Sequence, residues 1–162
     1  MGKRGYGKTT LAKSLILSSK AKQVFILDFL WEYSDLREEG KTFIFPYNFG
    51  EKEVYNFCLF AWLNSHENKK SLVVFDEIDA YGKKDKYISY LYCYGRHRGM
   101  NIIATAGGFY DLPVLARKFT NRFSIFQVTD ERDIQFLNRY KRYVAVEEVM
   151  ALKRFEYINI DF

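Results

Sequence analysis

Eight residues near the start of the chain have the types and spacing of a phosphate-binding loop. The segment from Gly2 to Thr9 reads GKRGYGKT, which matches the pattern G-x-x-x-x-G-K-[ST] in full. In such a loop, glycines let backbone N–H groups turn inward around phosphates, and the N-terminus of the next helix favours negative charge. We expect Lys8 to reach the β- and γ-phosphates of a nucleotide and to act in catalysis, and Thr9 to offer its hydroxyl to Mg²⁺.

The pattern therefore predicts a site for ATP and Mg²⁺. The alternative is a glycine-rich turn that matches the pattern by chance. The frequency of such a chance match in a chain of this length is on the order of one in a hundred. The residues expected to bind the nucleotide are Gly2, Arg4, Gly5, Tyr6, Gly7, Lys8, Thr9 and Thr10.

A second motif has the form of a Walker B element. The apolar run Leu72 to Phe75 ends in two carboxylates, Asp76 and Glu77. At the carboxyl end of a strand, Asp76 is expected to hold Mg²⁺ and Glu77 to orient and polarise the attacking water. Paired carboxylates at a strand end are often only a solvated turn, but the phosphate-loop pattern in the same chain favours the catalytic interpretation.

A third candidate lies in a basic helix end that runs into an apolar strand, from Tyr94 to Thr105. We hypothesise that Arg96 reaches the nucleotide of a neighbouring subunit and stabilises the charge of the transferring phosphoryl group. Arg98 has an equally good explanation as a cation at a helix C-terminus. No second His or Cys stands at metal-ligand spacing from His97, so a surface position is expected there.

The elements that must position these residues alternate in type. Apolar runs of strand length alternate with segments of helical periodicity, which predicts an α/β fold with a mostly parallel sheet flanked by helices on both faces. The predicted strands are Val24 to Phe29, Thr42 to Pro46, Leu72 to Phe75, Ile102 to Thr105, Phe123 to Val128 and Phe155 to Ile160. The predicted helices are Thr9 to Ser19, Glu51 to Asn64, Lys86 to Arg98, Pro113 to Phe119, Glu131 to Tyr140 and Glu147 to Lys153, with Asp130 as an N-cap.

Residues 1 to 162 are expected to form a single domain, given the length and the absence of repeats or linkers. In phosphate-loop folds the loop follows a central buried strand, yet here it begins at residue 2. We expect either an upstream segment or another part of the chain to fill that position in the sheet. Without such a strand, two neighbouring strand edges would be exposed.

Composition narrows the class of protein and its surroundings. Hydrophobic residues make up 48% and charged residues 28% of the chain, as in globular proteins, and the longest apolar stretch is too short to span a membrane. With no secretion signal and only two cysteines, the cytoplasm is the expected location. The net charge of +5 weakly favours a polyanionic partner.

The motifs together resemble the FtsK/HerA superfamily of hexameric DNA-translocating ATPases, above all its viral genome-packaging branch. The resemblance rests on Asp28 followed shortly by Glu32 and Tyr33, on the Walker B pair, and on the glycine-arginine, glycine, strand, threonine order from Gly95 to Thr105. It covers most of the chain, with further similarity at Leu112-Pro113, Asn121-Arg122-Phe123, Glu131, Glu147 and Phe155-Glu156-Tyr157.

The resemblance implies a RecA-like fold and ATP-driven movement of double-stranded DNA without sequence preference. It also implies a homo-oligomeric ring, expected to be a hexamer, with Arg96 acting in trans. A viral packaging motor would work in the host cytoplasm, dock on a capsid vertex protein and associate transiently with the virion. Thr105 would act as a phosphate sensor, although the family's usual glutamine after it is replaced by Ala106.

Other functions stay open from sequence alone. Within the family, the alternatives are a DNA-transfer pump or a phage-assembly ATPase; outside it, they are a nucleotide or small-molecule kinase and a non-catalytic scaffold stabilised by nucleotide. Ala106 favours the scaffold and Glu77 argues against it. Lys83, Lys84 and Lys86 follow Walker B and are candidate DNA contacts, with a solvated turn as the competing interpretation.

Overall fold

Six strands and six helices form the chain in the computed structural model, which describes residues 1–2, 4–38, 41–46, 50–81, 86–140 and 143–161. The strands are β1 (Gln23–Asp28), β2 (Thr42–Pro46), β3 (Ser71–Phe75), β4 (Met100–Ala104), β5 (Arg122–Ile125) and β6 (Ile158–Asp161). The helices are α1 (Lys8–Ser18), α2 (Glu51–Asn64), α3 (Lys86–Tyr94), α4 (Val114–Phe119), α5 (Glu131–Asn138) and α6 (Val146–Ala151). Short 3₁₀ turns cover Ser34–Leu36, Ile78–Tyr81 and Gly95–Arg98.

The main sheet has four parallel strands in the order β2-β1-β3-β4. Every residue of β3 is buried, as expected for a strand that is covered on both faces. Phe25 and Val73 belong to a large core shared with α2 and α3, whereas Ile26 and Val74 pack with Ala12 of α1 on the opposite face. The predicted α/β class with helices on both faces is confirmed.

The last two strands form a separate ribbon. β5 and β6 pair antiparallel, with Arg122 opposite Asp161 and Ile125 opposite Ile158. The predicted last strand began at Phe155, but β6 begins at Ile158. Phe155 has a φ of +70°, which a strand cannot accommodate, and its N–H bonds to the distant phosphate loop instead.

The helix before β4 is shorter than predicted. α3 ends at Tyr94, and the following four residues form a 3₁₀ turn that ends at Gly99, whose φ of +68° is the left-handed conformation typical of a helix C-terminus. Gly95 is buried against Met100, which leaves little space for a side chain. Arg96 therefore lies on a tight turn at the entrance to β4.

A cleft of about 930 Å³ separates β4 from the ribbon. Met1 lies at its end and pairs with the outer edge of β5: its amino group donates to the carbonyl of Ser124 (2.6 Å), and its carbonyl accepts from the N–H of Phe126 (2.7 Å). This is the bonding pattern of a residue in a parallel strand. The strand that the sequence predicts before the phosphate loop stays a prediction.

Among the described residues, no helix is both long enough and apolar enough to cross a bilayer. Cys58 is buried and Cys93 is half-buried, and both are free thiols.

Candidate nucleotide-binding site

The phosphate loop connects Met1, on the edge of β5, to the first turn of α1. Gly2 and Gly7 have φ values of +130° and +102°, which side chains rarely adopt. A Cβ at Gly2 would also lie 2.8 Å from the carbonyl oxygen of Gln127, so the loop can pass this backbone only as glycine. α1 begins at Lys8 with no acidic residue in its first turn, which leaves the positive end of the helix dipole open to an anion.

Lys8 points back across the loop. Its Nζ donates to the carbonyl of Gly2 (2.9 Å) and lies 3.8 Å from Oε1 of Glu77, while only 6% of its side chain is exposed. The loop lysine and the second Walker B carboxylate, 69 residues apart in the sequence, therefore meet in one half-buried site. A phosphate entering the loop would find this ammonium already in place.

Asp76 lies at the end of β3 and is fully buried. Its Oδ1 accepts hydrogen bonds from the hydroxyls of Thr105 (2.8 Å) and Tyr33 (3.3 Å). Its Oδ2 is also buried, and no described residue donates to it. Burial raises the pKa of Asp76 to about 6, an effect that the Thr105 hydrogen bond opposes and the neighbouring Glu77 strengthens.

The Oδ2 atom of Asp76, which has no described donor, shows whether the residues present fit the expected Mg²⁺ site. A buried carboxylate oxygen without a donor is what a divalent cation, or water bound to it, would satisfy. The hydroxyl of Thr9, the other expected ligand, donates to the carboxylate of Glu32 (2.9 Å). The donor set of hydroxyl and carboxylates suits Mg²⁺.

Glu77 has an unusual backbone for a glutamate. Its φ is +48°, and its N–H donates to Oγ1 of Thr105 (2.8 Å). Strained backbone at non-glycine residues concentrates at functional sites, and here the strain turns the side chain toward Lys8. Burial raises the pKa of the Glu77 carboxyl, and the positive charge of Lys8 opposes that rise.

The structure adds three residues that the sequence motifs did not place in the site, Asp28, Glu32 and Tyr33. Asp28, at the end of β1, accepts hydrogen bonds from the N–H groups of Glu32 and Tyr33 (3.0 Å each) and so fixes the turn that follows the strand. That turn brings the carboxylate of Glu32 to Thr9 and the hydroxyl of Tyr33 to Asp76. The signal in the sequence was the spacing of Asp28, Glu32 and Tyr33 after a predicted strand, and the structure shows that this strand is the neighbour of β3.

Thr105 follows β4 and is only 4% exposed. Its hydroxyl donates to Asp76 and accepts from Glu77, so it links the two Walker B residues. Ala106 is fully buried, and the next residue, Gly107, donates its N–H to Asp79 (3.0 Å). The position where the family has a glutamine is therefore part of a packed turn, and the sensor function of Thr105 stays a prediction.

Other predicted site residues lie outside this cluster. Arg96 is exposed, and across the described part of the chain no hydrogen bond or ion pair holds its guanidinium. Arg98, in contrast, donates to the carbonyl of Trp62 (2.9 Å) and lies over its ring, which makes it a packing residue.

The remaining predicted binding residues that the structure describes lie at the surface. Arg4 and Thr10 are exposed. Lys86 is exposed at the start of α3, whereas Lys83 and Lys84 lie outside the described residues.

A phosphate loop opening a helix, a Walker B pair beside its lysine and a parallel sheet define the class: a P-loop nucleoside triphosphatase fold. A family model described as an AAA domain matches residues 1–130, and the chain belongs to this family. No curated protein matches the chain significantly.

Solved structures with the same fold include viral and bacterial ATPases. The genome packaging NTPase B204 of Sulfolobus turreted icosahedral virus 2, in complex with AMPPCP, has a TM-score of 0.81 at 19% identity, with 99% of this chain and 89% of that chain covered. EccC (ATPases 2 and 3) of Thermomonospora curvata has a TM-score of 0.69 at 13% identity, over 99% of this chain and 36% of that chain.

A third structure, the N-terminal domain of zonular occludens toxin from Neisseria meningitidis, has a TM-score of 0.51 at 15% identity, over 82% of this chain and 75% of that chain. At these identities the likeness concerns the fold. At the level of the fold, the predicted resemblance to FtsK/HerA-like ATPases is confirmed.

Proposed function

We propose that this protein hydrolyses ATP to move double-stranded DNA, as the genome-packaging motor of a virus. The observation that carries the hydrolytic part is the meeting of Lys8 and Glu77 at 3.8 Å, beside the buried Asp76. Support for the DNA-moving part comes from the fold shared with a genome packaging NTPase and from the net charge of +5.

Each residue of the site has a definite task in this proposal. The loop N–H groups and Lys8 bind the phosphates, and Thr9 and Asp76 hold Mg²⁺, which would neutralise charge on the β- and γ-phosphates. Glu77 accepts the proton of the attacking water. Its raised pKa suits this task, because a general base works best when its pKa approaches the working pH.

Among the described residues, Lys8 is the cation that forms an ion pair within the site, and the charge that develops on the γ-phosphoryl oxygens would call for a second one. We propose that Arg96 of a neighbouring subunit supplies it, in a homo-oligomeric ring, expected to be a hexamer. Support comes from the exposure of Arg96 on a tight turn and from the lack of any partner for it within the described residues. In a viral motor, such a ring would dock on a capsid vertex protein.

DNA would be gripped through its phosphates rather than its bases. Lys86 is exposed at the start of α3, next to the predicted contacts Lys83 and Lys84. Lysines placed after Walker B would link DNA contact to the nucleotide site along a short stretch of chain. This arrangement predicts binding that weakens with salt and does not depend on base sequence.

The decisive experiment has two parts. The first measures the rate of ATP hydrolysis with and without duplex DNA. The second measures whether the protein displaces the third strand of a DNA triplex, which reports movement along the duplex. We expect duplexes of unrelated sequence to stimulate hydrolysis equally and the third strand to be displaced only with ATP. Glu77→Gln protein, which should still bind ATP, is the control. Hydrolysis that DNA neither stimulates nor couples to strand displacement would leave an ATPase but contradict the motor.

A further inference from the structure

A segment from the far end of the chain lies against the outside of the phosphate loop. Arg154 donates from Nε to the carbonyl of Gly5 (3.0 Å), and the N–H of Phe155 donates to the carbonyl of Tyr6 (3.2 Å). These contacts join parts of the chain that are 149 residues apart. The segment between α6 and β6 is thus fixed to the loop that binds phosphate.

Phe155 occupies an unfavourable position for a purely structural residue. Its φ of +70° is rare for a side chain with an aromatic ring, and 57% of the residue is exposed. Part of the ring rests on Gly7, where a Cβ would come within 2.7 Å of Cδ1. A strained backbone that holds a large apolar ring in solvent, beside a ligand-binding loop, indicates a ligand for the ring.

Neighbouring side chains support the ring on one side. The guanidinium of Arg154 lies 4.8 Å from its centroid, a cation–π contact that fixes both side chains. Below this pair, Tyr157 packs against Phe126 with ring centroids 5.4 Å apart. Phe126 also bonds to Met1 through its N–H, so the group is anchored at the start of the loop.

We infer that Phe155, with Arg154 beside it, is the platform on which the base of the nucleotide stacks. This inference rests on the proposed function, because it requires the phosphates to lie in the loop. The ring contacts Gly7, one residue before Lys8, so a base attached to the bound phosphates emerges next to it. Every base has a π face, and stacking on an aromatic ring discriminates little among bases.

The chemistry of the platform also determines what it recognises. Arg154 carries only donors, so it pairs with acceptor atoms of a base, which adenine and guanine both present in N7 and N3. Stacking on the ring and donation from Arg154 do not by themselves distinguish ATP from GTP.

The test compares a ligand that has a base with one that lacks it. Dissociation constants for Mg-ATP and for Mg-tripolyphosphate are measured on the intact chain and on Phe155→Leu and Phe155→Gly variants. Leucine keeps an apolar side chain over Gly7 without a π face, and glycine relieves the backbone strain. Both variants should bind ATP roughly 5- to 150-fold more weakly and tripolyphosphate as well as before. Phe155→Trp should retain ATP binding.

Matched variants separate the possible failures. Phe119→Ala removes another exposed phenylalanine with a cation over its ring, Lys118, and should leave both affinities unchanged. Lys8→Ala should lose both ligands; if it does not, the phosphate site is wrong rather than the platform. Equal weakening of ATP and tripolyphosphate by the Phe155 variants would show that the ring only supports the loop. Unchanged ATP affinity would show that the base lies elsewhere.

Discussion

Thr105 links Asp76 and Glu77 through a single hydroxyl, which donates to Oδ1 of Asp76 and accepts from the N–H of Glu77, each at 2.8 Å. The single proton of this hydroxyl is used on Asp76 and one of its two lone pairs on Glu77. The carboxylate of Asp76 and the backbone of Glu77 are therefore held by the residue that follows the neighbouring strand.

Replacing Thr105 by valine, which has the same shape, should release both the carboxylate of Asp76 and the backbone of Glu77. We expect turnover to fall about 10- to 100-fold, as for other residues that orient metal ligands, with ATP affinity little changed. Thr105→Ser restores the hydroxyl and should recover most of the turnover. Steady-state kinetics and ATP titration provide the measurement; equal losses in the valine and serine variants would contradict the role of the hydroxyl.

Lys8 and Glu77 should respond differently to substitution although they touch. Lys8→Ala removes the cation that binds phosphate and should abolish ATP binding. Glu77→Gln keeps the shape of the side chain but cannot accept the proton of water, so binding should persist while turnover falls by about 10² or more. Calorimetric titration and phosphate release separate the two effects, and loss of binding in both variants would remove Glu77 from the chemistry.

The buried carboxyl of Asp76 should destabilise the nucleotide-free protein at neutral pH. Its pKa is raised to about 6 in the fold, so the folded state holds the proton more tightly than the unfolded chain. The free energy of unfolding should therefore decrease as pH rises from about 4 to 6, and this loss should persist above that range.

Asp76→Asn provides the check, because the amide oxygen can still accept from Thr105 and Tyr33. In Mg²⁺-free buffer at pH 7.5, the variant should be more stable than the parent by an amount on the order of 2 kcal/mol, and near pH 4 the difference should shrink toward zero. Urea unfolding at both pH values measures it. A difference that does not vary with pH would mean that the Asp76 carboxyl is not the source.

Arg96 should act on a neighbouring active site. Alone, Arg96→Ala should lower hydrolysis by about 10³- to 10⁵-fold with little change in ATP affinity. Mixed with Lys8→Ala subunits, it should regain part of the activity, because a mixed interface pairs an intact loop with an intact arginine. Arg98→Ala is the control: its guanidinium packs on Trp62, so it should affect stability rather than complementation. A mixture that co-assembles without activity would contradict a trans arginine.

Local patterns were sufficient to predict the elements that bind phosphate. The loop and the helix after it follow from a continuous stretch of sequence, and the apolar run before Asp76 predicts a buried strand that ends in carboxylates. The N-cap at Asp130 is likewise confirmed, because its side chain accepts from the N–H of Arg132 two residues on. In each of these cases the cause lies within a few residues of the effect.

Contacts between distant segments could not be predicted in the same way. Tyr33 reaches Asp76 only because β1 and β3 are neighbours in the sheet, a fact of topology rather than of either segment. Phe155 has strong strand propensity, yet its bond to Tyr6 and its left-handed backbone displace the start of β6 by three residues. Tertiary contact outweighs local preference there.

The two ends of the phosphate loop are held by two different sheets. Before the loop, Met1 is hydrogen bonded to the β5–β6 ribbon; after it, Ala12 and Ile16 of α1 pack on the main sheet. A displacement of the ribbon relative to the main sheet would therefore act on the loop between these two attachments, which carries the groups expected to bind phosphate.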